Sequence, residues 1–298
     1  MIVGRRGAAD GLPVRSAARG LRGLLATLGG GVLWSGAGVL LIVLVALFAP
    51  HLTPHSPDQG DLLARLQPPG GEHLLGTDAL GRDLLTRLLH GARVSLLIGL
   101  AAVAAAALVG IPIGILAGYL RGPVDDLLMR IMDILLAVPN ILIAILIMAV
   151  SGPGIGNLVL AIGLWNVPGF ARIARSATLS IAERDFVMAA KALGNRPSRV
   201  MFVHILPNAM SQLLVIASLA IAGAIMAESG LSFLGLGVPP DVPSWGLIIS
   251  EGRSYLRQAP HITTLAGLCI MLAVLAFSLL GDSLRDRFDP HGKSSGIR

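Results

Sequence analysis

Six stretches of apolar residues, most of them long enough to cross a bilayer, constrain this chain more than any other feature. They fall at residues 31–50, 94–120, 127–150, 155–170, 208–236 and 262–280. A helix needs about 20 apolar residues to cross the hydrocarbon core, and in lipid its backbone polar groups must be satisfied internally. The expected fold is all-α, a polytopic membrane protein with six transmembrane helices. The fourth stretch is the weakest, since Asn166 and Pro168 interrupt it.

Composition excludes a soluble enzyme domain. Apolar residues make up 54% of the 298 and charged residues 13%, where a soluble domain carries about 25% charged residues. The net charge of +6 comes with 4% aromatics and no basic cluster interleaved with them, so no nucleic-acid partner is expected. The lipid bilayer is the implied partner. Cys269, the one cysteine, lies in an apolar run and is read as a small core residue. Arg5, Arg6, Arg15, Arg19 and Arg22 precede the first apolar run, as in a signal peptide. The run is long and no small-x-small cleavage site follows, so an uncleaved first span is expected.

Positive charge sets the orientation. The N-terminal tail holds those five arginines against Asp10. The loop 172–207 holds Arg172, Arg175, Arg184, Lys191, Arg196 and Arg199 against Glu183 and Asp185. Segments 51–93 and 238–261 have no such excess. The tails and the 172–207 loop are therefore expected in the cytoplasm. The chain divides into a cytoplasmic N-terminal tail (1–30), a first span with an extracytoplasmic loop (31–93), a transmembrane core (94–282) that carries the cytoplasmic loop 172–207, and a cytoplasmic C-terminal tail (283–298).

Inside the spans, Gly110, Gly114 and Gly118 recur every four residues, which lets helices pack closely where lipid gives no drive for association. Pro112, Pro139 and Pro168 can kink their helices. Asp133 and Glu228 are the carboxylates expected within spans, where burying an ionised acid is costly. Asp133 lies within a turn of Arg130 and is expected to pair with it. Glu228 has Ser229, Gly230 and Ser232 beside it as hydrogen-bonding groups. Each is a candidate for a polar path or for packing.

No catalytic motif is present. HExxH, CxxC and GxSxG are missing, and Gly292-Lys293 lacks the upstream glycine of a phosphate-binding loop. The histidines show no ligand spacing. No catalytic residue, metal ligand or cofactor is expected, and the chain is not read as an enzyme.

The most informative polar segment is Asp185-Phe-Val-Met-Ala-Ala-Lys-Ala-Leu-Gly194, followed by His204-Ile-Leu-Pro-Asn208. It forms a cationic helix between two apolar spans. Ala189, Ala190 and Gly194 are small and admit close approach of another surface. Leu193 supplies an apolar knob, and Pro207 marks entry into the next span. Such a surface is suited to being gripped by a soluble partner.

This segment resembles the cytoplasmic EAA loop of permease subunits of ATP-binding-cassette importers. There Glu-Ala-Ala, three residues, Gly, nine residues and Ile-x-Leu-Pro recur. Ala189, Ala190, Gly194, Leu206 and Pro207 match, while Met188 stands in the Glu place and His204 in the Ile place. Losing the acid implies one polar contact fewer with the ATPase. Leu75–Asp83 running on to Ser95, Leu231–Pro240 with Pro243–Gly246, and Gly281–Pro290 narrow the resemblance to the dipeptide/oligopeptide/nickel permease group.

The resemblance implies a type I importer permease fold, a second homologous permease subunit, two ATPase subunits and an extracytoplasmic substrate-binding protein. It implies that Phe186, Met188, Ala189, Ala190, Leu193, Gly194, His204, Leu206 and Pro207 form the ATPase-coupling loop, with residues from about 186 to 196 as its helix. It also implies import of di- or oligopeptides into the cell across the inner membrane, or of nickel or another small solute in the same architecture. A proton-coupled secondary transporter and a purely structural membrane subunit are the readings from other classes. Segment 51–93 is expected as a partly ordered loop leading to a helix at the membrane surface. With residues 237–261 it would form a docking face, and Trp245 would anchor that loop at the interface.

Overall fold

The computed structural model describes residues 14–288, with side chains from residue 31 onward. Arg5, Arg6 and the last ten residues, parts of the expected tails, lie outside the described residues. The helices are α1 (Val14–Leu52), α2 (Leu84–Leu120), α3 (Gly122–Ala137), α4 (Asn140–Ser151) and α5 (Ile155–Ile181). They are followed by α6 (Asp185–Ala192), α7 (Pro197–Arg199), α8 (Leu206–Phe233), α9 (Trp245–Gly252) and α10 (Pro260–Phe288). A π turn over Val200–Ile205 joins α7 to α8. Among the described residues, extended backbone amounts to isolated bridges such as Gly60 to Arg82 and Thr77 to Asp83.

Among the described residues, five helices are long and apolar enough to span a membrane: α1 from Gly31, α2, α5, Pro197–Phe233 and α10. The sixth crossing is α3 plus α4, bent by 81° at Val138-Pro139. A proline lacks an N–H and drives the residue before it out of the helical region, and Val138 is extended at φ −91° and ψ 129°. Packing requires this broken pair to cross. A Cβ on Gly110 would meet Val167 O, one on Gly114 Ala171 O, and one on Gly118 Arg175 O. Residue numbers rise together, so α2 and α5 run parallel, and the chain between them must return across the bundle. Pro112 and Pro168, by contrast, lie inside helices that continue through them.

Three buried clusters share the bundle. One joins α2, α4, α5 and α8 around Ile98, Met148, Ile162 and Phe170. A second joins α1, α2, α8, α9 and α10 around Leu84, Ile225, Ile262 and Phe277. The third lies at the end of the bundle where α2 and α5 finish. Leu108, Leu146 and Leu160 point outward and are exposed, as a surface solvated by hydrocarbon requires.

Both described chain ends lie on the α6 side of the bundle. Gly31 approaches Ser283 near the end of α10, and Ser35 Oγ donates to Ser283 Oγ at 3.5 Å. The opposite end carries residues 53–83, α9 and the start of α10. That loop is folded rather than partly ordered. Asp61 N donates to Gly81 O at 3.2 Å, Leu66 N to Asp78 O at 3.0 Å and Asp78 N to Arg82 O at 3.0 Å. The expected separate surface helix is instead the first turns of α2, which begins ten residues before its apolar run. Asp83 caps it, accepting from Thr86 N at 2.8 Å. Trp245 is not an interface anchor either: it is 3% exposed, and its Nε1 donates to Leu88 O at 2.9 Å.

Candidate functional site

The α6 loop is a short helix fixed from beneath and bare on top. Asp185 in its first turn and Lys191 in its last complement the helix dipole. Val187 is 0% exposed and Ala190 6%. Val187 shares the third cluster with Ile115 of α2, Ala174 and Ile181 of α5, Val200 and Ile205 of the π turn and Leu213 of α8. Lys191 Nζ adds a contact 4.9 Å from the centre of the Tyr119 ring on α2. Burying Val187 stabilises the mount by roughly 1.5–3 kcal/mol relative to exposure.

The C-terminal end of α6 explains why Leu193 projects. Asn195 N donates to Ala190 O at 3.2 Å and Gly194 N to Lys191 O at 3.0 Å, the paired bonds of a glycine-terminated helix. Gly194 takes φ +76°, a region costly for a residue with a Cβ. Asn195 Nδ2 also donates to Ala190 O at 2.9 Å. The helix stops at Ala192 with Leu193 as its C-cap, leaving Leu193 84% exposed. Phe186 and Met188 are exposed beside it, as is Ala189.

The expected surface residues therefore divide. Phe186, Met188, Ala189, Leu193 and Gly194 face outward together. Ala190 faces the bundle, and its small size serves that internal packing. His204 sits in the π turn, half-buried, its carbonyl accepting from Asn208 Nδ2 at 2.7 Å. Pro207 does not begin the span, because helix runs through it from Pro197. The π turn before it spares the carbonyl clash that proline makes with residue i−4. Val187 and Ile205, which hold the loop in place, were missed: their signal was helical spacing onto an apolar face.

The candidate path acids also separate. Asp133 Oδ1 accepts from Arg172 Nη2 of α5 at 2.6 Å, not from Arg130 on its own helix. Both side chains are more than half exposed, so the pair lies on an open face of α3 and α5. A neighbouring pair, Arg175 with Asp125, is bidentate at 2.5 and 2.6 Å. Glu228 is 0% exposed and sealed by hydroxyls. Ser232 Oγ donates to it at 2.8 Å, Ser95 Oγ of α2 at 3.0 Å and Ser229 Oγ at 3.4 Å. Gly237 and Gly246 close over this point, since a Cβ on either would collide with Ser232. This carboxylate ties α2, α8 and the start of α9 and does not line an open path.

At the opposite end, Leu75–Asp83 folds around a four-charge network that sequence reading missed. Arg82 Nε bonds Asp78 at 2.6 Å, Arg82 Nη2 bonds Glu251 at 3.0 Å, and Arg87 Nη1 bonds Glu251 at 2.7 Å and also Asp78. Arg87 is 1% exposed. Burial raises the Asp78 pKa, but the Arg82 N–H and the Arg87 and Arg82 guanidiniums outweigh it, leaving the carboxyl below its ordinary value. Asp83 is likewise lowered: burial opposes ionisation, and the Thr86 hydroxyl and N–H, His73 and His55 favour it more. His73 Nδ1 lies 3.0 Å from Asp83 Oδ1, and His55 stacks at a tilt on His73 with centroids 5.3 Å apart.

Comparison with known proteins agrees with this architecture. The family model described as binding-protein-dependent transport system inner membrane component matches residues 110–293. That for the N-terminal TM domain of oligopeptide transport permease C matches residues 31–69. The di/tripeptide transport system permease protein of Pseudomonas aeruginosa is 46% identical, over 86% of this chain and 87% of its own length. The dipeptide transport system permease protein of Alkalihalophilus pseudofirmus is 44% identical over 86% of each chain. The glutathione transport system permease protein of Pectobacterium atrosepticum is 41% identical over 87% of each. Among solved structures, a permease chain of the inward-facing MetNI methionine ABC transporter superposes with TM-score 0.56 at 17% identity. It covers 67% of this chain and 95% of that one, which is a likeness of fold.

Proposed function

Since the chain belongs to the family of binding-protein-dependent transport system inner membrane components, we propose that it forms half of the translocation path of an ATP-driven importer of di- and oligopeptides. A second, homologous permease supplies the other half. Two ATPase subunits hydrolyse ATP on the cytoplasmic side, so this chain is not itself an enzyme, and an extracytoplasmic binding protein delivers cargo. The site is the inner membrane, with both termini cytoplasmic. The charge excess in loop 172–207 supports that orientation, as does the meeting of α1 and the end of α10 at the same end of the bundle as α6. The 172–207 loop is then the coupling segment of a core spanning 94–282, between tails 1–30 and 283–298.

The carrying observation is the build of α6. Val187 seats it on the π turn before α8, in a cluster shared with α2, α5 and α8, while Phe186, Met188, Ala189 and Leu193 remain bare. A helix so mounted moves with the π turn and the span α8 that continues from it. An ATPase pair that grips the bare face differently when closed and open therefore shifts the bundle between its two states, since only differential contact moves such an equilibrium. At the other end, the ordered 53–83 loop and α9 offer a rigid docking face for the binding protein.

Peptide as cargo is supported by the relatives described as di/tripeptide and dipeptide permeases. Glutathione, itself a tripeptide, is the second reading, favoured by the 41% identical relative. The test is uptake of a labelled dipeptide into proteoliposomes holding this chain, its sister permease and the ATPases, with binding protein and ATP. The expected result is uptake that requires every component. Uptake by this chain alone would replace the proposal with a secondary transporter.

A further inference from the structure

Three side chains on the face opposite α6 converge in a way the transport reading does not use. His55 follows the end of α1, His73 sits in the turn after Pro68-Pro69, and Asp83 caps α2. Each offers a ligand atom, and these atoms all lie within 4.8 Å of one another. We propose that His55, His73 and Asp83 bind a divalent transition-metal ion of the zinc class. Such an ion would staple the 53–83 loop to both helices that it connects.

Two of the three ligands are held in place by the fold. Gly70 N donates to His73 O at 3.0 Å and His73 N to Gly70 O at 3.1 Å, fixing the turn that carries the imidazole. Asp83 Oδ2 is occupied by Thr86 N at 2.8 Å and Thr86 Oγ1 at 2.7 Å, so Oδ1 is the oxygen turned toward the histidines. Its 3.0 Å spacing from His73 Nδ1 is close to the roughly 3.3 Å between two tetrahedral ligands on zinc, given metal–ligand distances of about 2.0–2.1 Å. Loss of the shared proton on metal binding removes the hydrogen bond and allows that small opening. His55 is exposed and His73 partly so, which gives an ion access from solvent and lets His55 close the last distance.

The donor set selects the metal. Two imidazoles and one carboxylate suit zinc, copper or nickel and not calcium or magnesium, which take all-oxygen sites. Water can complete a tetrahedron. A structural ion pair needs only His73 and Asp83, whereas the convergence includes His55, whose ring lies 5.3 Å from that of His73.

The test is zinc titration of the full chain, purified in detergent with a histidine-free tag and stripped with chelator. Calorimetry and elemental analysis would follow the wild type and the variants His55→Ala, His73→Ala and, at the far end of the bundle, His204→Ala. The proposal expects one zinc per chain in wild type and His204→Ala, with affinity at least about tenfold lower in each of the other two variants. Zinc should also raise the melting temperature of wild type but not of His55→Ala, whose exposed side chain leaves folding unaffected. No saturable zinc binding in wild type would overturn the proposal. So would undiminished binding in His55→Ala, since that leaves His55 outside the site.

Discussion

Replacing Arg87 with Met removes one cation from a buried square of two cations and two anions while keeping the length of the side chain. Arg87 is 1% exposed and joins Asp78 to Glu251, which Arg82 also joins at 2.6 and 3.0 Å. After the change, two carboxylates share one guanidinium, and the cluster carries an unbalanced buried charge. Breaking a buried pair in this way costs about 3–5 kcal/mol. Arg82 still bridges both acids and Glu251 is 29% exposed, so the lower end, about 3 kcal/mol, applies. Adding Glu251→Gln restores charge balance and should recover at least about 1 kcal/mol, a non-additivity that contacting residues show. The assay is thermal unfolding followed by Trp245, whose indole donates to Leu88 O beside Arg87, in a background with Trp34 and Trp165 changed to Phe. A transition for Arg87→Met within about 0.5 kcal/mol of wild type, the range of an ordinary surface change, would refute the reasoning. A double variant worse than the single one would refute it as well.

Other expectations follow from packing, protonation and backbone. Gly110→Ala places a Cβ 2.6 Å from Val167 O and 2.8 Å from Phe170 Cβ. It should cost about 1–3 kcal/mol as overpacking, whereas Gly223→Ala meets nothing within 4 Å and should be neutral or stabilising by about 0.5–1 kcal/mol; melting in detergent compares them. Asp78 and Asp83 have folded pKa values below their ordinary 3.8. The stability they contribute is present above that value and lost as pH falls through the lower folded values. Trp245 emission should hold from about pH 7 to 5 and change only below about 4, and a midpoint near pH 6 would contradict the assignment to carboxylates. Gly194→Ala meets no atom but must adopt φ +76°, so about 1–2 kcal/mol of strain should speed hydrogen exchange in α6 and leave the rest of the bundle unchanged.

Spans were legible in this chain because apolar length is a local property, whereas the bounds of loop 172–207 were not: α5 runs on through Arg172 and Arg175 to Ile181, and the next helix begins at Pro197. What sequence reading missed depends on distance along the chain. Arg87 and Glu251 are polar residues in loops and helix starts by any local reading, and only folding brings them together across 164 positions. His55, His73 and Asp83 lie too far apart for ligand spacing to show. The broken third span was half legible: Pro139 announced a kink, but its 81° size is set by how α3 and α4 pack against α5. Asp133 was assigned to Arg130 on helical proximity, and a longer arginine from the neighbouring helix reached it instead. Within the α6 loop, composition identified the residues but not their direction, so Ala190 was counted on the outer face and Val187 overlooked.

The central claim is that the bare face of α6 transmits ATPase motion to the bundle. Leu193→Glu is the perturbation that tests it, because Leu193 is 84% exposed and its change leaves the buried Val187 and Ala190 untouched. Its control is Leu63→Glu, at a residue 93% exposed in the loop at the other end. Each variant would be reconstituted with sister permease, ATPases and binding protein, and scored for ATPase co-purification and ATP-dependent dipeptide uptake. The account predicts that Leu193→Glu folds with unchanged melting, retains its sister permease and loses both ATPase association and uptake by at least about tenfold, while Leu63→Glu, which lies in the proposed docking face for the binding protein, retains ATPase association. Full uptake by Leu193→Glu with the ATPases still bound would contradict it.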